Sequence, residues 1–341
     1  MKKLLLTIGF GLFLLGGCRE VGVSPENRTF TETKLLMGTT VEITIRGENK
    51  DLAGKAAEQA FREIEAVDSL MSTFKKDSEI SRINREGARQ PIKVSRDTFR
   101  VVRESIRLSE LSGGAFDITV APLVNLWRSA RKNKRLPGQQ NLKKALALVG
   151  YQNILLDEKN GTVGFRKKGM EIDLGGIAKG YAVDKAVEKL RQEGVKRAII
   201  NAGGDLYLLG RPPDKNFWKI GLRNPYKKDE ILGTIKARDE AIATSGNYEN
   251  YFTLGGKRYG HLLDPRTGKP TERVLSVTVL AKDALSADGL ATAIFVLGVK
   301  KGLGLANRLE DVETIIVSED DNGKMVVSTT KGLKDRLSLN L

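Results

Sequence analysis

Asp288 and Thr292 form a pair whose residue types and spacing could bind a metal ion. They stand four residues apart in the stretch 284–297, whose almost continuous apolar pattern predicts a buried helix, so both side chains lie on one face. A carboxylate and a hydroxyl are hard oxygen donors of the kind that Mg²⁺ or Ca²⁺ prefers. The alternative is that Asp288 lies in the first turn of the helix and interacts favourably with the helix dipole. The spacing alone favours this alternative.

A glycine turn in the stretch MEIDLGGIAKGYAVD is the second candidate site. The pattern predicts a short strand from Met170 to Leu174, a turn at Gly175 and Gly176, and then a helix. The start of a helix carries unpaired backbone N–H groups, so Lys179 could add a full positive charge beside a phosphate bound there. The alternative is an ordinary turn with a solvated lysine, and these residues do not decide between the two. The stretch contains neither GxxxxGK[ST] nor GxGxxG.

His261 is the only histidine of the chain and stands in a polar loop beside Asp264. Three tyrosines precede it, Tyr248, Tyr251 and Tyr259. This composition suits a flat aromatic ligand bound near a group that can exchange a proton. The alternative is that the histidine is structural and the aromatic residues only pack.

The N-terminus has the organisation of a secretory signal. Lys2 and Lys3 precede a short apolar run, which ends at a Leu-Gly-Gly-Cys sequence. The run is shorter than the roughly 20 residues that a transmembrane helix needs. Cys18 is the only cysteine, so it has no internal disulfide partner, and it stands where a bacterial lipoprotein signal places the residue that becomes lipidated.

This interpretation divides the chain into a signal peptide (1–17), a polar tether (18–28) and one folded domain (29–335). It predicts an exported protein anchored by lipid to a bacterial membrane, at the inner membrane facing the periplasm or at the outer face of the cell membrane. The alternative is a plain secretory signal that is cut nearby.

The composition is that of a globular protein with a basic surface. The chain has 341 residues and a net charge of +15, with 40% hydrophobic and 29% charged residues. Basic excess favours anionic ligands or anionic surfaces. We interpret the basic clusters at 128–135 and 166–168 as solvated loops, and because no motif interleaves them with aromatics we expect no nucleic-acid partner.

The elements that must position these residues alternate irregularly. Helical and strand patterns are mixed, with several hairpin signals, and no internal repeat or interdomain linker is visible. This order favours an α+β fold with mixed or antiparallel sheets packed against helices in one large domain, rather than a doubly wound sheet.

Taken together, these pieces resemble the FAD:protein FMN transferase family, also called ApbE or flavin transferase. The resemblance runs from about Leu35 to Val299 and rests on eight short motifs in the same order. These are Met37-Gly38-Thr39, Ser72-Thr73-Phe74, GGAFD at 113–117, DLGGIAKGYA at 173–182, NAGGD at 201–205, ATSGNY at 243–248, HLLDPRTG at 261–268 and ADGLAT at 287–292.

The resemblance implies a reaction and a metal site. Members cleave FAD and attach FMN through its phosphate to a Thr or Ser hydroxyl of an acceptor protein, releasing AMP. The acceptors are subunits of respiratory or redox complexes. By this resemblance Mg²⁺ is held by Asp288, Thr292 and the backbone carbonyl of Gly176. Some members have alanine at the position of Gly176, a change that leaves a carbonyl ligand in place.

The resemblance also implies an FAD cleft and its lining. Lys179 is expected at a phosphate, Asp117 and Asp173 at adenosine or ribose groups, and His261 and Asp288 are the expected catalytic residues. The implied FAD contacts are Met37, Phe74, Ala115, Phe116, Asp117, Asp173, Lys179 and His261. Two alternatives remain open: a metal-dependent FAD pyrophosphatase that modifies no protein, and a lipid-anchored protein that only binds FAD. All of these interpretations require the glycine turn at 175–176 to meet Asp288 and Thr292.

Overall fold

The computed structural model describes residues 28–227, 229–247 and 250–340. The predicted signal peptide, almost all of the tether, Cys18 and Tyr248 lie outside these ranges. The α-helices are α1 (Lys50–Met71), α2 (Glu79–Glu86), α3 (Arg96–Leu111), α4 (Ala121–Asn133), α5 (Gln139–Leu146), α6 (Ala178–Gln192) and α7 (Ala284–Ala306). Short 3-10 helices occur at Ile118–Val120, Tyr151–Asn153 and Lys331–Leu333.

The strands follow the chain in order. They are β1 (Thr29–Leu36), β2 (Thr39–Arg46), β3 (Ile92–Lys93), β4 (Ile154–Asp157), β5 (Thr162–Phe165), β6 (Ala198–Ala202), β7 (Asp205–Leu209), β8 (Trp218–Arg223), β9 (Ile231–Ala237), β10 (Glu240–Gly246), β11 (Tyr251–Leu254), β12 (Lys257–Gly260), β13 (Leu263–Asp264), β14 (Lys269–Pro270), β15 (Val274–Ala281), β16 (Glu313–Glu319), β17 (Met325–Thr329) and β18 (Leu337–Leu339).

An eight-stranded sheet organises the described residues, in the order β1-β2-β6-β7-β10-β15-β16-β17. Each of its strand pairs is antiparallel. Smaller sheets are formed by β18-β9-β8 and by β3-β5-β4, and the pairs β11-β12 and β13-β14 are separate hairpins. The antiparallel sheets and their helices confirm the predicted α+β class, because hairpins dominate where βαβ crossovers would give parallel strands.

Both faces of the large sheet are covered, and this explains its strongly apolar central strands. Ala241 and Ala243 of β10 point into a core shared with α1, α6 and α7, whereas Ile242 between them points into a second core shared with β8, β9 and β18. Alternation along a strand sends successive side chains to opposite faces, so a strand covered on both sides can be apolar at consecutive positions, as Ala241, Ile242 and Ala243 are. The first core is the one that positions the candidate site.

The helix α7 is the apolar helix predicted from the sequence, and it extends beyond the predicted end at Leu297. Gly298 interrupts it with a left-handed φ of 74°, and the helix then continues to Ala306. Among the described residues it is the one helix long and apolar enough to cross a membrane by length and composition, and more than half of its apolar stretch is buried inside the molecule. Such burial is expected of the core helix of a folded domain.

The predicted strand from Met170 to Leu174 is wrong. The segment is extended but pairs with no strand, because its backbone bonds are made by other groups. The side-chain amide of Asn84 donates to the carbonyl oxygen of Ile172 (2.9 Å) and accepts from its N–H (2.8 Å). The N–H of Asp173 donates to the carbonyl oxygen of Ile118 at 2.8 Å. A single asparagine therefore replaces the neighbouring strand that the pattern predicted.

The basic cluster at 128–135 lies mostly in a helix. The sequence of 123–136 allowed a basic loop or a short helix, and most of the cluster belongs to α4, which ends at Asn133; the next residue, Lys134, adopts a left-handed φ of 48°. Trp127, Arg128 and Arg131 share one face of α4, and all three line a cavity. Arginine carries its charge on a long apolar stem that can lie along a cavity wall, which the interpretation as a solvated loop did not anticipate.

Asp184 on α6 fixes the start of α7. Its two carboxylate oxygens accept the N–H groups of Ala284 (2.7 Å) and Leu285 (2.9 Å), while Asp283 accepts from Ser286 at 2.8 Å as the N-cap. Burial raises the pKa of Asp184 to about 7, against the effect of these two donors. Asp184 thereby attaches the first turn of α7 to α6. The N–H groups of this turn have no partner within their own helix, and because they are buried, water cannot serve as their acceptor.

We expect Asp184→Ala to lower the free energy of unfolding by about 1–3 kcal/mol, because two buried N–H groups lose their acceptor. Urea unfolding followed by circular dichroism measures this. Asp51→Ala is the control, since Asp51 is an exposed carboxylate in the first turn of α1, and it should change the same quantity by less than about 0.5 kcal/mol. Equal effects of the two substitutions would contradict this anchoring of α7.

Candidate active site

A cavity of about 570 Å³ opens where several parts of the fold meet. They are the β1–β2 turn, the segment from Ala115 into α4, the glycine turn before α6, the β6–β7 turn, the end of β10, the first half of α7, and the β11–β12 hairpin with the loop that follows it. This volume lies in the range of about 300–1,000 Å³ that is usual for ligand sites. Ten predicted site residues line it: Met37, Ala115, Phe116, Asp117, Asp173, Gly176, Lys179, His261, Asp288 and Thr292.

Phe74 is the predicted FAD contact that does not line this cavity. It is 81% exposed and lines a neighbouring cavity of about 300 Å³, which shares Arg128 and Asp173 with the larger one. The guanidinium of Arg128 lies 5.2 Å from the centre of the Phe74 ring, a cation–π distance. Phe74 can therefore contact FAD only if the ligand extends from the larger cavity into the neighbouring one.

The glycine turn and the Asp288–Thr292 pair do meet. A Cβ on Gly176 would lie 3.2 Å from Thr292 Oγ1, so the backbone of the turn packs directly against that hydroxyl. Asp288 is the fifth residue of α7, one turn beyond the start, and it is buried. The alternative that it merely sits in the first turn is therefore wrong. Because Asp288 is buried, its carboxylate charge needs an ionic or hydrogen-bonding partner.

These donors fit a hard cation. Among the described residues no three His, Cys, Asp or Glu side chains cluster as a metal site, so a metal here would depend on hydroxyl and carbonyl oxygens as well as carboxylate. Asp288, Thr292 and the carbonyl of Gly176 supply that mixture, which suits Mg²⁺ and does not suit a thiophilic metal. Ser245 Oγ lies 3.4 Å from Thr292 Oγ1 and adds a further hydroxyl beside the pair.

Helices α6 and α7 approach each other unusually closely at Gly180. The N–H of Gly180 donates to Asp288 Oδ2 at 3.0 Å. A Cβ on Gly180 would lie 2.6 Å from the carbonyl carbon of Ala284 and 2.8 Å from Asp288 Cβ. Only glycine permits this contact, and it places the backbone of one helix against the candidate metal ligand of the other.

Lys179 lies between two buried carboxylates. Its ammonium is 2.5 Å from Asp205 Oδ2 and 3.5 Å from Asp288 Oδ2. Burial alone would lower the pKa of Lys179, but the two carboxylates together raise it well above its ordinary value. For the acid Asp205 burial acts in the opposite direction and raises the pKa, and the neighbouring Asp288 raises it further. Lys179 is thus a permanent cation at the cavity wall, the charge that a bound phosphate requires.

We expect Lys179→Ala to raise the Kd for FAD at least about tenfold, because a charge-assisted contact with a phosphate is worth about 1.5–3 kcal/mol. A fluorescence titration of FAD measures this. The control is Lys185→Ala on the same helix. Its side chain is 25% exposed against 27% for Lys179, and it pairs with Glu63 and Glu188 outside the cavity lining. An unchanged titration for Lys179→Ala would count against the phosphate role.

Asp117 and Asp173 differ in their freedom to bind a ligand. Asp117 is buried and accepts from the Thr119 N–H (2.8 Å), the Thr119 hydroxyl (2.6 Å) and the Tyr151 N–H (2.8 Å). Burial raises its pKa despite these donors. Asp173 accepts from the Gly175 N–H at 2.8 Å and lies 3.9 Å from Arg128. The carboxylate of Asp173 is therefore the more available of the two for polar groups of a ligand.

His261 lies at the mouth of the cavity. Its Nδ1 is 3.1 Å from the carbonyl oxygen of Asn250. A carbonyl only accepts, so Nδ1 carries the hydrogen in the neutral ring and Nε2 is the basic nitrogen. Nearby, the rings of Phe252 and Tyr259 stack with centroids 5.3 Å apart, and Trp127 packs on both of them. This aromatic group forms one wall of the site.

Several residues of this region were not predicted as site residues from the sequence, among them Trp127, Arg128 and Asp205. For Asp205 a signal existed, since it ends the motif NAGGD directly after two glycines. Trp127 and Arg128 carried no comparable signal, because a mixed basic and apolar segment reads equally well as an exposed helix.

Comparison with known proteins finds similarity to one family over most of the chain. The ApbE family profile matches residues 37–316. A protein of Vibrio cholerae named FAD:protein FMN transferase is 36% identical over 324 residues, covering 94% of this chain and 95% of that protein. One of the same name from Klebsiella pneumoniae is 34% identical over 311 residues, covering 91% and 95%.

Solved structures extend the similarity to three dimensions. The flavin transferase ApbE from Vibrio cholerae matches with a TM-score of 0.82 at 33% identity, over 91% of this chain and 99% of that one. An ApbE protein from Thermotoga maritima matches with a TM-score of 0.82 at 32% identity, with the same coverage. On sequence and fold together, the chain belongs to the ApbE family.

Proposed function

We propose that the protein is an FAD:protein FMN transferase. It cleaves FAD at the diphosphate and joins FMN through its phosphate to a Thr or Ser hydroxyl of an acceptor protein, and AMP is released. The observation that carries the proposal is the meeting of Gly176, Lys179, Asp288 and Thr292 in one cavity. Together these residues offer an ammonium group to a diphosphate and hard oxygen ligands to a divalent cation, and the family relatives carry the same name.

The reaction exchanges one phosphorus–oxygen bond for another. The acceptor hydroxyl oxygen attacks the phosphorus of the FMN half, and the bond from that phosphorus to the bridging oxygen breaks. AMP leaves with the bridging oxygen, and the hydroxyl proton passes to a base. Such a transfer depends mainly on positioning and on neutralising charge.

The residues of the cavity divide these tasks. Lys179 faces the diphosphate with a fixed positive charge. His261 accepts the hydroxyl proton at Nε2, and its Nδ1–H donates to Asn250, which fixes the orientation of the ring. The exposed position of His261 suits a step that must meet a large second substrate, because an acceptor protein cannot enter a closed cavity.

Mg²⁺ is the cofactor that we propose for this site, held by Asp288, Thr292 and the carbonyl of Gly176. When bound, it would neutralise charge on the diphosphate oxygens. The aromatic wall of Trp127, Phe252 and Tyr259 excludes water from one side of the site and offers flat surfaces to a flavin.

The test uses a bacterial membrane fraction as the source of acceptors. We expect incubation of the purified protein with FAD, Mg²⁺ and that fraction to give flavin-fluorescent bands on a denaturing gel. Mass spectrometry should find FMN on a Thr or Ser, with AMP released in equal amount. Release of AMP and FMN without any labelled protein would favour the pyrophosphatase. Bound FAD without release of AMP would favour the flavin-binding protein.

We also propose that the acceptors are subunits of respiratory or redox complexes and that Cys18 carries a lipid anchor. The basis for the anchor is the lipoprotein-like signal around Cys18, and the basis for the acceptors is membership of the ApbE family. Replacement by Cys18→Ala should move the protein from the membrane fraction to the soluble exported fraction, as measured by immunoblot. Unchanged membrane association of that variant would argue against the anchor.

A further inference from the structure

Asp205 is a buried carboxylate that contacts the cavity-lining residues Lys179 and Asp288 without lining the cavity itself. It is 2% exposed and lies outside the lining of the cavity, whereas Lys179 and Asp288 both line it. The ammonium of Lys179 is 2.5 Å from Asp205 Oδ2 and 3.5 Å from Asp288 Oδ2. The shorter of the two ion pairs is therefore the one farther from the ligand.

The position of Asp205 is fixed by a tight hairpin between β6 and β7. Gly203 and Gly204 form its two-residue loop with φ of 63° and 100°, the left-handed values that such a loop requires. The N–H of Gly203 donates to the carbonyl oxygen of Thr40 (3.1 Å), and the N–H of Gly204 donates to Asn201 Oδ1 (3.0 Å). Asp205 is the first residue after this loop, so the backbone that carries its carboxylate is held in place.

Asp288 has competing demands on its charge. Its Oδ2 already accepts the Gly180 N–H at 3.0 Å. An ammonium that paired closely with Asp288 would neutralise that carboxylate and repel any divalent cation brought to it. A second carboxylate closer to Lys179 removes this conflict, because the ammonium, 2.5 Å from Asp205 Oδ2, then has its closest partner in Asp205 rather than in Asp288.

We propose that Asp205 is a positioning residue, which holds the Lys179 ammonium away from Asp288 and so leaves Asp288 available to a divalent cation. This inference rests on the proposed function, since it takes Asp288 and Thr292 as the cation site. With both carboxylates ionised, the three side chains alone carry a net charge of −1. With a divalent cation the sum is +1, so the cavity then presents both Lys179 and the cation to a diphosphate without an uncompensated carboxylate beneath them.

The experiment measures binding of Mn²⁺, used as the probe cation, to the full-length protein in the absence of FAD by electron paramagnetic resonance. We expect Asp205→Asn to raise the Kd for Mn²⁺ by about tenfold or more, because Lys179 then pairs with Asp288. Lys179→Met should bind Mn²⁺ no more weakly than the unmodified protein. The double variant Asp205→Asn with Lys179→Met should return to within about threefold of the unmodified protein.

The recovery in the double variant separates this role from the others. A structural role, or direct metal ligation by Asp205, predicts that the double variant binds as weakly as Asp205→Asn, and that result would overturn the proposal. An unchanged Kd in Asp205→Asn would overturn it too. If Asp205→Asn alone does not fold, the comparison of Lys179→Met with the double variant decides, since a difference larger than about threefold contradicts the proposal.

The outcome is also distinguishable from failure of the proposed function. If the predicted pattern of Mn²⁺ affinities is found and no flavin is transferred, the role of Asp205 stands while the transferase proposal fails. If the unmodified protein shows no Mn²⁺ binding that Asp288→Ala removes, the role of Asp205 is refuted whatever the transfer assay gives.

Discussion

Replacing Asp288 by alanine should reduce flavin transfer at least about 10³-fold while the protein remains folded. The expected loss follows from removing the one carboxylate proposed to hold the cation, which stabilises developing charge by several kcal/mol. The fold should persist because Lys179 keeps Asp205 as its closer partner, and the losses are the Gly180 N–H acceptor and the longer contact of Lys179 with Asp288. The measurement is labelling of an acceptor with FAD and Mg²⁺, accompanied by thermal unfolding. Full transfer activity in this variant would refute the metal assignment.

Thr292 offers a matched pair of substitutions on the same helix. Thr292→Ser keeps the hydroxyl and should retain most of the transfer activity. Thr292→Val keeps the shape but removes the oxygen, and transfer should fall with a higher Mg²⁺ requirement. Equal activity of the two variants would show that the hydroxyl is not used, and would leave only packing against Gly176 as the role of Thr292.

Replacing Gly180 by alanine should damage both stability and activity, although alanine is the better helix former. The new methyl group would overlap the backbone of α7 at Ala284 and touch the Cβ of Asp288. Overpacking of this kind costs about 1–3 kcal/mol, and because the obstacle is backbone the helices must separate. Their separation moves Asp288 away from the glycine turn, so transfer should fall by more than the loss of stability explains.

Gly304→Ala is the control for this prediction. Gly304 lies in the last part of α7, and a Cβ there meets nothing within 4 Å. Helix propensity then favours alanine by up to about 1 kcal/mol, so the variant should be at least as stable as the unmodified protein and fully active. Denaturant unfolding of both variants provides the comparison. A Gly180→Ala protein as stable and active as Gly304→Ala would contradict the close approach of α6 and α7.

The sequence by itself determined the fold class and most of the candidate site. Apolar runs at strand and helix spacing predicted α7 and the strands of the large sheet, because these patterns report burial along a single element. Short motifs predicted ten residues that line one cavity, from Met37 at its β-turn to Thr292 on α7. The same local reading failed at 170–174, where the side chain of Asn84 takes the place of a strand.

Only the tertiary structure decided how the charges are shared. Lys179 and Asp205 are 26 positions apart, and Lys179 and Asp288 are 109 apart, so no local pattern links them. Their pairing exists because Gly180 lets α6 approach α7 and because a two-glycine hairpin delivers Asp205 beneath Lys179. Periodicity in a sequence records which face of an element is buried, whereas the partner of a buried charge depends on which elements pack together. That choice is made by the whole core, and it decides which carboxylate faces the cavity and which one lies behind the lysine.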